Sequence, residues 1–385
     1  MVRGVLMMKI IKNVEVYAPA HRGKRDLLVT NGYVEGIYEN VKEFDFPPNV
    51  VKVLDDKIAI PGFIDGHVHV IGGGGEGGFI SRIPEIQYSE LLGCGITSVI
   101  GLLGTDSVTK SLMSLFGKVK ALREEGINAY MVTGSYHYPI QTITGSVKKD
   151  MIFLDPVIGV GEVAISDHRS SAITVQEIKR LALECHVAAL HTAKAGKIIV
   201  HVGKSRKMLS PLMEAVSDDE IKITTFLPTH VNRNMELLED AAKWMKMGGY
   251  VDLTAGDSEN KSVSVKDAIE YLLENGGDIE HILVSSDAQG SLPSFDDKGN
   301  FLSMRISKCS VMMNSFRECV RSGMKIENAL KPFSENVANF FKLKNAGSLN
   351  EGKRADIVFL NQRNLEIDSV MIKGEFFRKD ELKVS

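Results

Sequence analysis

Ala59-Ile60-Pro61-Gly62-Phe63-Ile64-Asp65-Gly66-His67-Val68-His69 is an apolar run ending in two histidines, and Gly72-Gly73-Gly74-Gly75-Glu76-Gly77-Gly78 lies just beyond it. Extended backbone has a side-chain period of two, so His67 and His69 project from the same face. Two imidazoles side by side on a rigid strand supply half of a metal site. Taken alone, the pair also fits two ordinary surface or core histidines. What decides between these is whether other strands end in the same kind of side chain.

Seven further short, apolar, β-rich segments follow Ala59–His69: Ser98–Gly104, Ala129–His137, Val157–Ser166, Lys197–Gly203, Ile223–His230, Tyr250–Gly256 and His281–Asp287. Helix-patterned stretches separate several of them, at Val108–Glu125, Thr174–Lys194, Asn234–Met247 and Val265–Gly276. Strand alternating with helix implies a parallel sheet, and eight such units imply a closed (β/α)8, TIM-like barrel, with an open doubly wound sheet as the alternative. The two ends differ. Met8–Ala18 and Asp26–Glu39 alternate apolar and polar residues, with a turn at Asn31-Gly32, and Ala355–Leu360 and Ser369–Arg378 look like strands with a turn at Lys373-Gly374. Strands from both termini are therefore expected to pair into one small β-sandwich domain, residues 1–60 with 345–385, beside a barrel of residues 61–344.

In barrel enzymes the active site lies at the C-terminal ends of the strands. Here the first strand ends in His67 and His69, the fourth contains Glu162, the fifth ends near His201, the sixth at His230 and the eighth at Asp287. Four imidazoles and two carboxylates would thus meet on one rim, a donor set suited to zinc and also to cobalt, manganese or iron. Gly72, Gly74 and Gly77 match a dinucleotide-binding fingerprint, but the preceding strand ends in paired histidines and no acidic residue closes the next strand.

Composition narrows the partners. The 385 residues are 44% hydrophobic and 25% charged with a net charge of −3, ordinary values for a globular enzyme. There is no basic stripe for nucleic acid. No apolar run reaches the roughly 18 residues that span a bilayer, and Met1–Met8 is too short for a secretory core. Cys94, Cys185, Cys309 and Cys319 are scattered with no Cys-x-x-Cys pair, so neither a disulfide framework nor a thiolate metal site is expected, and a reducing cytoplasm fits.

The same residues resemble a family. The Pro-Gly-Phe-Ile-Asp-x-His-x-His line at Pro61–His69 and the Gly-Ser-Leu-x-Glu-Gly-Lys-x-Ala-Asp-Ile-Val line at Gly347–Val358 are similar to the metal-dependent amidohydrolase superfamily. Within it, His67–Glu76, Gly101–Asp106, Thr142–Ser146, Ala164–Arg169, Leu227–Asn234 and Ser285–Asp287 resemble the isoaspartyl dipeptidases (β-aspartyl peptidases). The resemblance implies that His67, His69 and Asp287 hold one divalent metal and His201 and His230 a second. Zinc is the first expectation, with cobalt or manganese as alternatives. The best-known relatives bridge the two with a carboxylated lysine, whereas the matching position here is Glu162. A glutamate already carries the negative charge, so no carbamylated lysine is expected; alternatively Glu162 binds one metal and the site is mononuclear.

The chemistry implied is hydrolysis of the β-aspartyl amide bond in a dipeptide. A metal-bound hydroxide would attack, because coordination lowers the pKa of water. Asp287 would take the proton and deliver it to the leaving amine, unless it is only a ligand. Tyr136 resembles the tyrosine that hydrogen-bonds the tetrahedral intermediate, and could instead be a packed rim aromatic. Arg169 and Arg233 each follow a strand end and suit substrate carboxylates, although either could serve a structural ion pair. Glu76 could meet the substrate α-ammonium, with Gly75 permitting close backbone approach and Thr105 and Ser291 as weaker hydrogen-bonding candidates. His168 is expected outside the ligand set, and His21, His186, His191 and His281 are expected to be ordinary. The resemblance also implies a homo-oligomer, such as an octamer. A dihydroorotase- or hydantoinase-like cyclic amide hydrolase and a non-catalytic barrel relative are the alternatives. Neither explains Glu76 with two arginines, and the second should have lost ligands.

Overall fold

The computed structural model describes residues 7–42, 50–256, 262–296 and 300–378. Residues 1–6 of the opening stretch, and 43–49 and 379–385 of the expected terminal domain, lie outside the described residues.

Eight parallel strands carry the site: β1 (Phe63–Val68), β2 (Ile96–Gly101), β3 (Asn128–Thr133), β4 (Val157–Ile165), β5 (Lys197–Val202), β6 (Phe226–Thr229), β7 (Val251–Thr254) and β8 (Ile282–Ser285). β1 to β6 form one curled sheet in chain order, and β7 pairs with β8. Every residue of β1, β2 and β4 is buried, as expected of parallel strands covered on both faces. The pair β7–β8 abuts both edges of the sheet. On one side Val68 bridges Ala288 and the His69 amide donates to the Ala288 carbonyl at 2.9 Å. On the other the Val231 amide donates to the Asp252 carbonyl at 3.4 Å. Two buried carboxylates brace these junctions. Asp65 accepts from the Ser286 amide at 3.1 Å, and Asp252 accepts from Thr229 at 2.5 Å and Ser285 at 2.7 Å. Ile64, Ile100, Val132, Ile158, Ile199, Leu227 and Leu283, from seven of the strands, share one core cluster with Val337 and Phe341, so the strands curl around a common interior. This curled parallel sheet is consistent with the expected TIM-like barrel.

The helices form where sequence caps permit. Thr174 and Glu177 make a capping box at the start of Val175–Thr192, and Asn234 and Ser264 cap Met235–Lys246 and Val265–Glu274. Among the described residues no helix is long and apolar enough to cross a membrane.

One expectation changes. The strand expected over Ala59–His69 is two strands: Lys57–Pro61 joins the terminal sheet, and β1 begins at Phe63. The break falls at Gly62, whose amide donates to the Asp356 carbonyl at 2.9 Å. A Cβ there would stand 2.2 Å from Thr97 Oγ1, so only glycine lets the chain cross between sheets. The terminal strands are hydrogen-bonded in one eight-stranded sheet that interleaves both ends of the chain. Lys57–Pro61 pairs with Ile357–Asn361 on one side and Met8–Tyr17 on the other. A single core cluster including Ile11, Val16, Leu27, Ala59, Ile357 and Phe359 lies against it.

Candidate metal centre and substrate pocket

The strand ends deliver the six expected ligands to one place. His67 lies in β1 and His69 just past it, Glu162 in β4, His201 in β5, and His230 and Asp287 after β6 and β8. His230 and Asp287 have φ of 63° and 52°. Left-handed backbone costs a non-glycine residue of order 1–3 kcal/mol and recurs at functional sites. All six are buried or nearly so.

Glu162 is the hub. Its Oε1 lies 3.4 Å from His67 Nε2 and 3.5 Å from His69 Nε2, and its Oε2 lies 3.2 Å from His201 Nδ1 and 3.7 Å from His230 Nε2. Asp287 Oδ1 joins the first group, 3.1 Å from His69 Nε2 and 3.5 Å from His67 Nε2. Ligand atoms about 2.1 Å from one tetrahedral ion stand about 3.4 Å from each other. The observed separations therefore suit coordination. His67 Nε2, Glu162 Oε1 and Asp287 Oδ1 are buried, crowd together and yet lack hydrogen-bond geometry, which a divalent cation between them would remedy. Two overlapping groups, His67–His69–Glu162 and Glu162–His201–His230, have ligand atoms close enough to share an ion.

Electrostatics agree with the donor set. Burial pushes the Glu162 pKa up, but His67 and the contacts with His201 and His230 outweigh it and keep the carboxylate charged. Burial likewise opposes ionisation of Asp287, while His69 and His67 bring its pKa down to about 2. Burial lowers His230 to about 3, so it stays neutral as a ligand must. Burial also lowers His67, but the Glu162 and Asp287 carboxylates reverse this and raise it to about 10.

Outer partners aim two of the ligands. His230 Nδ1 meets Thr254 Oγ1 at 2.6 Å, leaving Nε2 facing Glu162. His201 Nε2 meets Asp167 Oδ2 at 3.1 Å, leaving Nδ1 for the centre. Asp167 was not among the residues singled out from the sequence, although it stands in the Ala164–Arg169 stretch; its meeting with His201 joins the loop after β4 to β5. Carboxylates behind ligand histidines fix ring orientation and tautomer, and losing them weakens metal binding about 10–100-fold. Asp167→Ala should lower metal affinity by that amount in a competition titration with a chromophoric chelator. Unchanged affinity would make Asp167 merely a partner of Arg169.

The expected substrate residues also converge. Arg169 donates to Asp167 through Nε at 3.0 Å and Nη2 at 2.9 Å, stacks over the Tyr136 ring, and lies 3.8 Å from Glu76. The structural ion pair is thus real for Arg169. Arg233 has no carboxylate within ion-pair reach among the described residues; its Nε is buried and unpartnered, and burial lowers its pKa. Thr105 and Ser291 both donate to Glu76 Oε1, at 3.1 and 2.6 Å, while Glu76 Oε2 is buried and unpartnered. They orient Glu76 and leave one oxygen for a cation. Gly75 adopts φ +104° beside it, a backbone state that favours glycine. The Tyr136 hydroxyl is 2.8 Å from His201 Nδ1, and burial raises its pKa well above the ordinary value, so it remains a donor. His168 is exposed, outside the ligand set as expected.

Comparison with known proteins agrees with this geometry. The amidohydrolase family model matches residues 58–377. The chain is similar to a crystal structure of β-aspartyl dipeptidase from the thermophilic keratin degrading Fervidobacterium islandicum AW-1 in complex with β-Asp-Leu dipeptide. It shares 39% identity over 98% of this chain and 97% of that one, with a TM-score of 0.92. A second crystal structure of the dipeptidase from that organism gives 37% identity, coverage of 97% and 98%, and a TM-score of 0.88. An adenine deaminase from Bacillus pumilus (strain SAFR-032) is 24% identical over 91% of this chain and 54% of its own length. The chain spans little more than half the length of the curated relatives it matches over most of its own. On this family match and near-complete structural overlap, the chain belongs to the metal-dependent amidohydrolase superfamily, in its isoaspartyl (β-aspartyl) dipeptidase branch.

Proposed function

We propose that this chain is a dinuclear metal-dependent dipeptidase that hydrolyses the β-aspartyl amide bond. The observation that carries this reading is a pair of buried, unpartnered charged-group atoms beside the ligand cluster: Glu76 Oε2, and Nε of Arg233, which has no carboxylate within ion-pair reach among the described residues. A β-linked aspartyl group presents an α-ammonium and an α-carboxylate together on the acyl side of the scissile bond. Cyclic amides such as dihydroorotate have no ammonium for Glu76. We read the eight strands as a closed (β/α)8 barrel over residues 61–344, with 1–60 and 345–385 as a second domain, in a homo-oligomer.

Bound divalent cations, zinc foremost, would acidify the attacking water and polarise the scissile carbonyl. His67, His69, Glu162, His201, His230 and Asp287 would hold them. Arg233 binds the α-carboxylate by charge-assisted hydrogen bonds, and Glu76 the α-ammonium. Asp287 accepts the proton of the attacking water and passes it to the leaving amine. Tyr136 donates to the carbonyl oxygen as it gains charge.

The test is a substrate panel. β-Asp-Leu should be cleaved at least about 10-fold more efficiently than α-Asp-Leu, because the α isomer misplaces at least one charge-assisted contact of about 1.5–3 kcal/mol. Arg233→Ala should reduce kcat/KM on β-Asp-Leu by about 10–100-fold for the same reason. Equal rates on the isomers, or a preference for dihydroorotate, would contradict the proposal.

A further inference from the structure

The glycine-rich segment that carries Glu76 is a poor support for a recognition residue. Glycine gives up more conformational freedom than any other residue when it is fixed. What fixes it here is largely the loop after β2. The segment doubles back so that the Ile83 amide donates to the Gly73 carbonyl at 3.1 Å and the Gly75 amide to the Ser81 carbonyl at 3.3 Å. A Cβ at Gly72 would lie 2.1 Å from the Ile83 carbonyl oxygen, so the two stems run in close contact. Across them lies Lys110, which is only 8% exposed. Its Nζ donates to the Ile71 carbonyl at 2.5 Å and the Ile83 carbonyl at 2.9 Å, one on each stem. No carboxylate lies within ion-pair reach of it among the described residues, and burial lowers its pKa. An ammonium with three donors can serve two carbonyls at once, which a single neutral hydroxyl cannot.

The same loop reaches the segment at two more points. Thr105 donates to Glu76 itself at 3.1 Å, and Asp106 pairs with Arg82 at 3.6 Å. Three contacts from one short loop thus grip the glycine-rich segment at its stems and at its functional side chain.

We propose that Lys110 is a positioning residue for substrate recognition: its buried ammonium clamps both stems of the glycine-rich loop and thereby fixes Glu76 where the substrate α-ammonium binds. The proposal rests on the β-aspartyl reading, and its test separates the two. Lys110→Met preserves the bulk of the side chain and removes the donors. KM for β-Asp-Leu should rise about tenfold or more with kcat changed about twofold at most, the pattern of lost substrate binding. Lys110→Arg, which keeps the charge and donors, should recover much of that loss. On N-acetyl-β-Asp-Leu, which has no ammonium for Glu76, Lys110→Met should match the wild type. An equal loss on both substrates, or no loss on either, overturns the proposal. Hydrogen exchange gives a readout independent of turnover: amides of residues 72–78 should exchange faster in Lys110→Met, and unchanged protection overturns the clamp. Faster exchange in a protein whose wild type ignores β-Asp-Leu would overturn the recognition role together with the β-aspartyl reading.

Discussion

Asp287→Asn should retain the fold and lose turnover by about 10²–10⁴-fold, the usual contribution of a positioned proton-transfer group. The amide has nearly the same shape, so packing around β8 should survive, but it cannot take a proton from the attacking water. Asp287 Oδ1 faces His67 and His69 without a hydrogen bond, and the carboxyl stays ionised through the neutral range at a pKa of about 2. Metal content by elemental analysis must accompany the kinetics. Lost activity with cations retained identifies the proton carrier, whereas wild-type turnover with cations retained removes Asp287 from the mechanism.

Glu162→Ala should have the largest effect on metal binding. Both carboxylate oxygens face imidazole pairs, so its removal leaves each ligand group without its shared anion. Affinity should fall by more than the roughly 100-fold that an outer partner costs. The same residue makes binding in the wild type pH-dependent. Without cations, Glu162 and Asp287 hold a proton on His67 up to a pKa of about 10. A cation must displace that proton, so affinity should strengthen as pH rises from neutral toward that value and weaken as it falls. Calorimetry in buffers of different ionisation enthalpy measures the proton release. Retained binding of two metals in Glu162→Ala, or binding that ignores pH, would sink the bridging role.

Most of the candidate ligands were legible because they are strand-end residues. His67, His69, His201, His230 and Asp287 stand where an apolar run stops, and a barrel brings such ends together whatever its loops do. Two kinds of feature were not legible. Short helices, Tyr88–Gly93, Val147–Phe153 and Ser210–Ala215, and the hairpin of Ser291–Phe295 with Phe301–Ile306 are too brief to establish a period. The second kind is partnership. Sequence offers Thr105 and Ser291 as weaker hydrogen-bonding candidates and does not show that both hydroxyls donate to Glu76. Arg169 was indistinguishable from Arg233 in sequence, yet one is paired with Asp167 two residues away and the other has no carboxylate within ion-pair reach among the described residues. The break at Gly62 was hidden for a related reason. The apolar run continues through it, and only the approach of Thr97 from the neighbouring strand shows why glycine stands there.

The most direct test is a zinc titration of metal-free protein in bicarbonate-depleted buffer, following cleavage of β-Asp-Leu and α-Asp-Leu in parallel. Because Glu162 is a carboxylate without modification, activity on the β isomer should rise to a plateau at about two equivalents of metal per chain with no added bicarbonate. The α isomer should stay near background throughout. A plateau at one equivalent, an absolute requirement for bicarbonate, or comparable cleavage of both isomers would contradict the account.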